Sequence, residues 1–261
     1  MNADEIRAIN RAGWDARVEE GDVWTVPVSP GAVARARLGD WSVVLTPNKP
    51  VPADWFGDLA GKDMLCLASG GGQQGPILSA AGARVTVFDA FAAQLGQDEM
   101  VARRDGLSLV TRQGFMHDLS MFAERSFDLI FHPVSNSFAS EILPVWRECF
   151  RSLRPGGVLL AGFMNPIVYV FDPEAEERGE LIVTRPLPYA DVAALDDGSL
   201  ASLIARDHTV EFSHTLEAQI GGQLAAGFVL TDFFEDTDLG PPTSGRSTYF
   251  PTCMATRAVR P

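Results

Sequence analysis

The stretch Leu65-Cys66-Leu67-Ala68-Ser69-Gly70-Gly71-Gly72-Gln73-Gln74-Gly75 decides the fold. An apolar run leads into three consecutive glycines, and a segment compatible with a helix follows. Glycine accepts positive φ and lets a ligand approach the backbone, while the first N–H groups of a helix can donate to a carboxylate or phosphate. Gly70, Gly72 and Gly75 satisfy G-x-G-x-x-G, which is a weak pattern by itself. Between a strand and a helix it predicts a ligand-binding loop, with a tight structural turn as the alternative.

A second strand candidate, 84–88, runs directly into an acid, Asp89. A carboxylate at the tip of the second strand can accept two hydrogen bonds from a ribose diol. Its spacing from the glycines fits that role. The alternative is that Asp89 caps the next helix through its side chain.

Strand-like apolar runs and helical segments alternate from Asp63 onward. Apolar strands covered by helices on both faces predict a parallel sheet with right-handed crossovers. Two strands near the end of the chain, separated by the turn signals Gly240, Pro241, Pro242 and Gly245, predict a terminal antiparallel hairpin. The fold class is therefore α/β, a Rossmann-like doubly wound seven-strand sheet that is mostly parallel. The predicted strands are 64–68, 84–88, 107–111, 127–131, 157–161, 228–235 and 248–259, and the helices between them are 74–81, 92–104, 141–153 and one that Ser213 caps and that ends near Gly227.

An N-terminal extension precedes this pattern and divides the chain into residues 1–58 and 59–261. Apolar spacing predicts a helix over 3–18, and Ser29 followed by Pro30 predicts the start of a second one. Residues 41–46 are expected to form a short strand. Trp14 and Trp24 either close over a ligand as a lid or pack the extension onto the sheet.

Composition limits the classes of partner. Hydrophobic residues make up 46% of the 261 residues, and the net charge of −13 (21 basic, 34 acidic) disfavours nucleic acid. The longest apolar stretch, 156–171, is broken by Asn165 and Pro166, so we expect no membrane association. The N-terminus lacks an apolar signal region, and we expect a cytoplasmic protein.

Cys66, Cys149 and Cys253 are expected to be buried free thiols, and scattered histidines predict no metal site.

Three further segments carry a resemblance to a family. They are Gln113-Gly114-Phe115-Met116-His117-Asp118-Leu119, Ser126-Phe127-Asp128-Leu129-Ile130 and Leu153-Arg154-Pro155-Gly156-Gly157-Val158-Leu159-Leu160. Together with the glycine loop and Asp89, this combination resembles the class I S-adenosylmethionine-dependent methyltransferases over about residues 63–163. The resemblance implies S-adenosylmethionine as cofactor and a small-molecule methyl acceptor.

The resemblance also implies a role for each matching residue. The methionine end of the cofactor would be lined by Ala68, Ser69, Gly70 and Gly72, and the ribose would be held by Asp89. The adenine would be flanked by Gln94, its amino group would donate to Asp118, and the Leu119 N–H would reach a ring nitrogen. The sulfonium and the acceptor would be faced by His132 and Pro133. This chain departs from the family pattern at Cys66 and Phe115, where an acid is frequent, and at Ala68, where glycine is frequent.

His132 is the candidate general base because imidazole exchanges protons near neutral pH. A histidine hydrogen-bonded to structure or to cofactor is the alternative. Asn136 either orients the acceptor or caps the following helix. Two other functions share the glycine loop and Asp89: a nicotinamide-dependent oxidoreductase, which a Tyr-x-x-x-Lys pair would favour but the sequence lacks, and a non-catalytic S-adenosylmethionine-binding protein.

Overall fold

The strand that enters the glycine loop, β1, lies inside a seven-stranded sheet. The computed structural model describes residues 1–207, 209–239 and 245–261. The sheet has the order β3-β2-β1-β4-β5-β7-β6. Its strands are β1 Asp63–Leu67, β2 Arg84–Asp89, β3 Leu109–Gln113, β4 Phe127–His132, β5 Leu153–Met164, β6 Val229–Asp236 and β7 Cys253–Val259.

The first five strands are parallel and the last two run antiparallel, as predicted. β1 pairs with β2 on one side and with β4 on the other. β7 pairs antiparallel with β5, from Val158 opposite Val259 to Met164 opposite Cys253, and β6 pairs antiparallel with β7. Residues 64–67 of β1 are fully buried, as expected for a strand that helices cover on both faces.

Nine helices surround the sheet in the part of the chain that is described. Asn2 and Glu5 form a capping box at the start of α1, and Gly21 ends it in the left-handed conformation, with φ of 71°. Ser29 caps α2 through its side chain, as predicted. The helices are α1 Ala3–Glu20, α2 Pro30–Ala36, α3 Gln74–Ala80, α4 Ala92–Asp105, α5 Leu143–Ser152, α6 Pro173–Glu177, α7 Asp191–Ala194, α8 Asp197–Asp207 and α9 Gly222–Ala226.

The core has a layer on each face of the sheet. One layer joins β1 and β4 side chains to Val43, Leu45, Trp55 and Phe56 of the N-terminal extension. The other layer is centred on Trp146 of α5. Since the extension supplies part of the first layer, residues 1–58 fold onto the sheet and share its core.

Five local expectations are corrected. Residues 41–46 make only an isolated bridge, Val44 to Pro50, because the prolines that follow lack the N–H groups a strand ladder needs. Ser213 does not cap a helix; its hydroxyl accepts the Tyr189 N–H, and Thr215 accepts the Ala218 N–H instead. Strand β3 begins at Leu109 and not at residue 107, and β7 begins at Cys253 and not at residue 248. Helix α5 spans Leu143–Ser152, whereas 141–153 was predicted. The turn signals at 240–242 and His208 lie outside the described residues.

The three cysteines are buried free thiols, as predicted. No described helix has the length and apolar character needed to cross a bilayer.

Candidate active site

A cavity of about 750 Å3 lies at the carboxyl edge of the parallel strands, where open α/β sheets bind ligands. Its floor is the glycine loop after β1 and the loop after β4. Its roof is α1, which contributes Arg7, Asn10 and Trp14. A cavity of this size falls within the range of cofactor and small-molecule sites.

The glycine loop brings backbone to the cavity wall with no room for side chains. Ala68 has a positive φ of 47°, and its N–H donates to the Phe88 carbonyl at 2.7 Å. A Cβ placed on Gly70 would lie 2.6 Å from the Gln94 Cβ and 3.1 Å from an oxygen of Asp89. Ala68, Ser69 and Gly70 line the cavity. Glycine at position 70 therefore lets the loop pack closely against Gln94 and Asp89, and the loop backbone lines the cavity.

Asp89 lies at the tip of β2, is 8% exposed and lines the cavity. Its Oδ2 accepts the Gly70 N–H at 2.9 Å and its Oδ1 accepts the Phe91 N–H at 3.0 Å. Burial raises the pKa of this carboxyl, while hydrogen bonds from three backbone N–H groups oppose that rise. Each carboxylate oxygen retains capacity for a second donor, so a diol can bind here. Helix α4 has no side-chain cap, so Asp89 does not cap it, and its bond to the Phe91 N–H holds the turn between β2 and α4.

Gln94 supplies a test of whether a polar cofactor fits. It is 3% exposed, lies on the first turn of α4 and lines the cavity. Its side-chain Nε2 is buried and has no hydrogen-bond partner among the described residues. A buried amide donor without a partner is costly. A ligand carrying hydroxyl or ring-nitrogen acceptors could satisfy this donor after a small rotation of the amide, so the residues fit the nucleoside of S-adenosylmethionine.

Gly72 lies behind the cavity wall, where its N–H donates at 3.1 Å to Asp98, a residue that sequence reasoning missed. Asp98 is fully buried on α4, and burial raises its pKa to about 8. The signal was present in the sequence, because Gln94 and Asp98 are four residues apart and share one face of a helix. Asp98 supports the loop from beneath, and Gly72 does not reach the ligand space.

The segment after β3 places different residues at the cavity than expected. Phe115, Met116 and His117 line it, and Asp118 and Leu119 do not. Asp118 is exposed and accepts the Ser120 N–H, and the Leu119 N–H donates to Glu148 at 3.0 Å. In this structure Asp118 is exposed to solvent and the Leu119 N–H already has a partner, so the adenine contacts expected of these two residues stay a prediction.

His132 is fully buried and does not line the cavity. Its Nδ1 lies 3.0 Å from the Leu67 carbonyl oxygen and its Nε2 lies 2.6 Å from Asn136 Oδ1. Asn136 Nδ2 donates to Gln219 at 2.9 Å. Burial lowers the pKa of His132. The expectation that His132 and Asn136 face the acceptor is corrected: they form a buried polar chain beneath it, whereas Pro133 lines the cavity.

Sequence reasoning also missed a hydrogen-bonded pair on the cavity wall. Tyr169 and Glu211 both line the cavity, and the Tyr169 hydroxyl donates to Glu211 Oε2 at 2.8 Å. Tyr169 lies in the short 3-10 helix Pro166–Val170, and Glu211 is forty-two positions further along the chain, so no periodic pattern connects them. Ser137, in the short turn after β4, hydrogen-bonds the Tyr169 side chain.

Helix α1 closes the cavity through specific contacts. Asn10 is buried and bonds the Val210 backbone twice, with Nδ2 donating to its carbonyl at 3.1 Å and Oδ1 accepting its N–H at 2.7 Å. The Trp14 ring meets Phe138 edge-on, with centroids 5.3 Å apart, and Arg7 lies over the Phe115 ring. Trp14 and Trp24 both line the cavity, so the extension packs on the sheet and covers the site at once.

Fold and site together define an α/β enzyme that binds a nucleoside cofactor at the carboxyl edge of its sheet. The family described as a methyltransferase domain matches residues 65–161. An uncharacterized methyltransferase of Bacillus subtilis (strain 168), YbaJ, is 50% identical over 236 residues, which are 90% of this chain and 92% of that protein. The chain belongs to the class I S-adenosylmethionine-dependent methyltransferase family, and its cofactor is S-adenosylmethionine.

Two more distant proteins show how widely the catalytic domain is shared. The ubiquinone biosynthesis O-methyltransferase of Pseudomonas syringae pv. tomato is 28% identical over 127 residues, which are 47% of this chain and 55% of that enzyme. The crystal structure of an S-adenosylmethionine-dependent methyltransferase from Mesorhizobium loti superposes with a TM-score of 0.58 at 16% identity, covering 79% of this chain and 94% of that chain. The second likeness shows the fold alone. A nicotinamide-dependent oxidoreductase is excluded by the family.

Proposed function

We propose that this methyltransferase binds S-adenosylmethionine at the glycine-loop end of the cavity and methylates a small molecule at the other end. One observation carries the proposal: buried Asp89 and the crowded backbone at Gly70 form one wall of a cavity of about 750 Å3. The cofactor supplies an electrophilic methyl group on a sulfonium. Orientation of the acceptor behind that methyl group accounts for much of the catalysis.

The cofactor contacts follow from the positions of the cavity-lining residues. Ala68, Ser69 and Gly70 would hold the methionine end by backbone contact, and Asp89 would accept from the ribose hydroxyls. Gln94 would donate its unpaired amide hydrogens to the nucleoside. Phe115 and Met116, which take the place predicted for Asp118 and Leu119, offer an apolar face on which a planar base can lie.

His132 and Asn136 would serve this site as positioning residues, together with Gly72. His132 ties the end of β4 to the end of β1 through the Leu67 carbonyl. Asn136 extends that tie to Gln219. Through these bonds the loop after β4, which includes Pro133, keeps a fixed place at the cavity wall. Gly72 does the same for the glycine loop by bonding Asp98.

Several features favour a small acceptor over a macromolecule. Helix α1 roofs the cavity, so residues 1–58 act as its cover. A net charge of −13 opposes binding of nucleic acid. The Pseudomonas relative is named for O-methylation in ubiquinone biosynthesis, a small-molecule reaction. The three buried free thiols agree with a reducing compartment, and we place the enzyme in the cytoplasm.

Titration calorimetry tests the proposal directly. S-adenosylmethionine and its demethylated product should both bind the purified protein, and NAD should not. Binding of NAD at micromolar affinity with no heat from either sulfur compound would refute it.

A further inference from the structure

The cavity wall also carries a carboxylate, Glu211, that accepts a hydrogen bond from Tyr169. Glu211 and Tyr169 are half-buried, and the Tyr169 hydroxyl oxygen lies 2.8 Å from Glu211 Oε2. The Phe212 N–H donates to the Ser137 carbonyl at 2.8 Å, which fixes this segment against the turn that follows β4. Because β4 is the neighbour of β1 in the sheet, this turn lies next to the strand that enters the glycine loop.

A second layer of contacts holds the pair in place. The Tyr189 ring stacks on the Tyr169 ring with centroids 5.9 Å apart, and the Tyr189 hydroxyl donates to Asp191 Oδ1 at 2.7 Å. Asp191 Oδ2 in turn accepts the backbone N–H of Glu211 at 2.7 Å. Catalytic groups held by such a supporting shell keep their geometry through a reaction.

Several other acidic or basic side chains on the wall have contacts elsewhere. Asp89 accepts the Gly70 and Phe91 N–H groups. Asp238 is paired with Arg246 at 3.0 Å. The His117 ring stacks on Phe115 at the end where the nucleoside would bind, and Glu141 is exposed.

The hydrogen bond between Tyr169 and Glu211 sets the orientation of the carboxylate. Burial, reinforced by the charge of Glu211, raises the pKa of Tyr169 well above its usual value. The tyrosine therefore keeps its proton and donates a hydrogen bond to one carboxylate oxygen, which leaves the other oxygen of Glu211 as a possible proton acceptor for a ligand.

We propose that Glu211 is the general base for an acceptor whose nucleophile is a hydroxyl on a planar, conjugated ring, a phenol or an enol, and that Tyr169 positions its carboxylate. This inference rests on the proposed function. A base serves a hydroxyl nucleophile, which is weak while protonated. The proton of a phenol, with a pKa of about 10, becomes more acidic as its oxygen bonds to the methyl carbon, so a nearby carboxylate can accept it. Such a ring could pack against the flat apolar side chains that also line the cavity, which are Trp14, Phe138 and Phe212.

The transfer step balances with the groups named. The acceptor oxygen forms a bond to the methyl carbon as the carbon–sulfur bond breaks, and that electron pair stays on sulfur. The hydroxyl proton passes to a carboxylate oxygen of Glu211, which becomes a carboxylic acid. The products are a methyl ether and a neutral thioether, and the proton then leaves to solvent.

Methyl transfer to three ring compounds that differ in the nucleophilic atom tests the proposal. Carbon-13-labelled S-adenosylmethionine is supplied with catechol, aniline or thiophenol, and the chemical shift of the transferred methyl identifies the atom methylated. The wild-type enzyme should methylate catechol at oxygen faster than it methylates the other two. Glu211→Gln keeps an acceptor for Tyr169 but cannot take up a proton, and it should lower kcat for catechol by about 100-fold or more.

Matched variants separate this role from a structural one. Tyr169→Phe should lower kcat for catechol by about tenfold or more, because the carboxylate loses a hydrogen bond, while KM for S-adenosylmethionine stays unchanged. Glu235→Gln and Tyr249→Phe change exposed residues and should match the wild type. Absence of catechol methylation, preferred methylation of aniline or thiophenol, or full activity in Glu211→Gln would each overturn the proposal. Calorimetry on the same samples reports cofactor binding, so failure of the proposed function itself would be recognised separately.

Discussion

Replacing Asp89 with alanine should weaken binding of S-adenosylmethionine by about 10- to 100-fold. The ribose diol would lose hydrogen bonds to a charged acceptor, which contribute about 1.5–3 kcal/mol, and each 1.4 kcal/mol is about a factor of ten in the dissociation constant. The carboxylate is 8% exposed, so water offers little replacement.

The same substitution removes the acceptor of the Gly70 and Phe91 N–H groups. Leaving buried donors unpaired costs about 1–3 kcal/mol in folding free energy. The melting temperature of Asp89→Ala should therefore fall together with its affinity. Asp89→Asn keeps the shape and one acceptor oxygen, so it should retain more stability than alanine while still binding the cofactor weakly.

The matched control is Asp118→Ala, which removes another acid that follows a strand of the same sheet. Asp118 is exposed and lies outside the cavity, so its loss should leave the dissociation constant within about threefold of wild type. Calorimetry on both folded variants measures the difference. Unchanged affinity in Asp89→Ala, or an equal loss in Asp118→Ala, would refute the assignment of the ribose to Asp89.

Three further substitutions test the loop and its supports. Gly70→Val should abolish cofactor binding because even a Cβ would lie 2.6 Å from the Gln94 Cβ, whereas Gly96→Ala, in open space on α4, should bind normally in the same calorimetric assay. The pKa of Asp98 is raised from 3.8 to about 8, so the folded state binds its proton more tightly and stability falls as pH rises between these values. Asp98→Asn should therefore flatten that part of the profile of melting temperature against pH. An unaltered profile would contradict this prediction. His132→Ala should lower the melting temperature because it removes the hydrogen bonds to Leu67 and Asn136. We expect kcat for catechol at saturating substrates to fall by less than about tenfold. A stable variant with about a 100-fold loss of kcat would instead indicate that His132 is the base.

The glycine loop, the acid at the tip of β2 and the mostly parallel seven-strand sheet could be predicted because they follow from short-range patterns. An apolar run, a glycine turn and an acid at the next strand end are all local in sequence, and parallel strands with short connections admit few arrangements. The terminal hairpin was predictable for the same reason. These features place the cavity at the correct edge of the sheet.

The residues after the strands were harder to place. His132 is the last residue of β4, and strand side chains alternate between the two faces of the sheet. It follows Ile130 by two positions, so it points into the layer around Trp146 and away from the edge. The loop after β3 has no period, and its turn brings Phe115 to the cavity in place of Asp118.

Tyr169 and Glu211 could not be found from sequence at all. Tyr169 lies in a short 3-10 helix and Glu211 outside any helix or strand, and no periodic signal in the sequence predicts that these two distant positions meet. The partners that fix them, Tyr189 and Asp191, also come together only in three dimensions.

The bonds between Asn10 and Val210 have a consequence for the order of events in a turnover. Asn10 belongs to the helix that roofs the cavity, and Val210 is the residue directly before Glu211. An outward swing of α1 would break these bonds and loosen the backbone next to Glu211. In that case the methyl donor would be loaded first, and closure of α1 would then fix the carboxylate of Glu211.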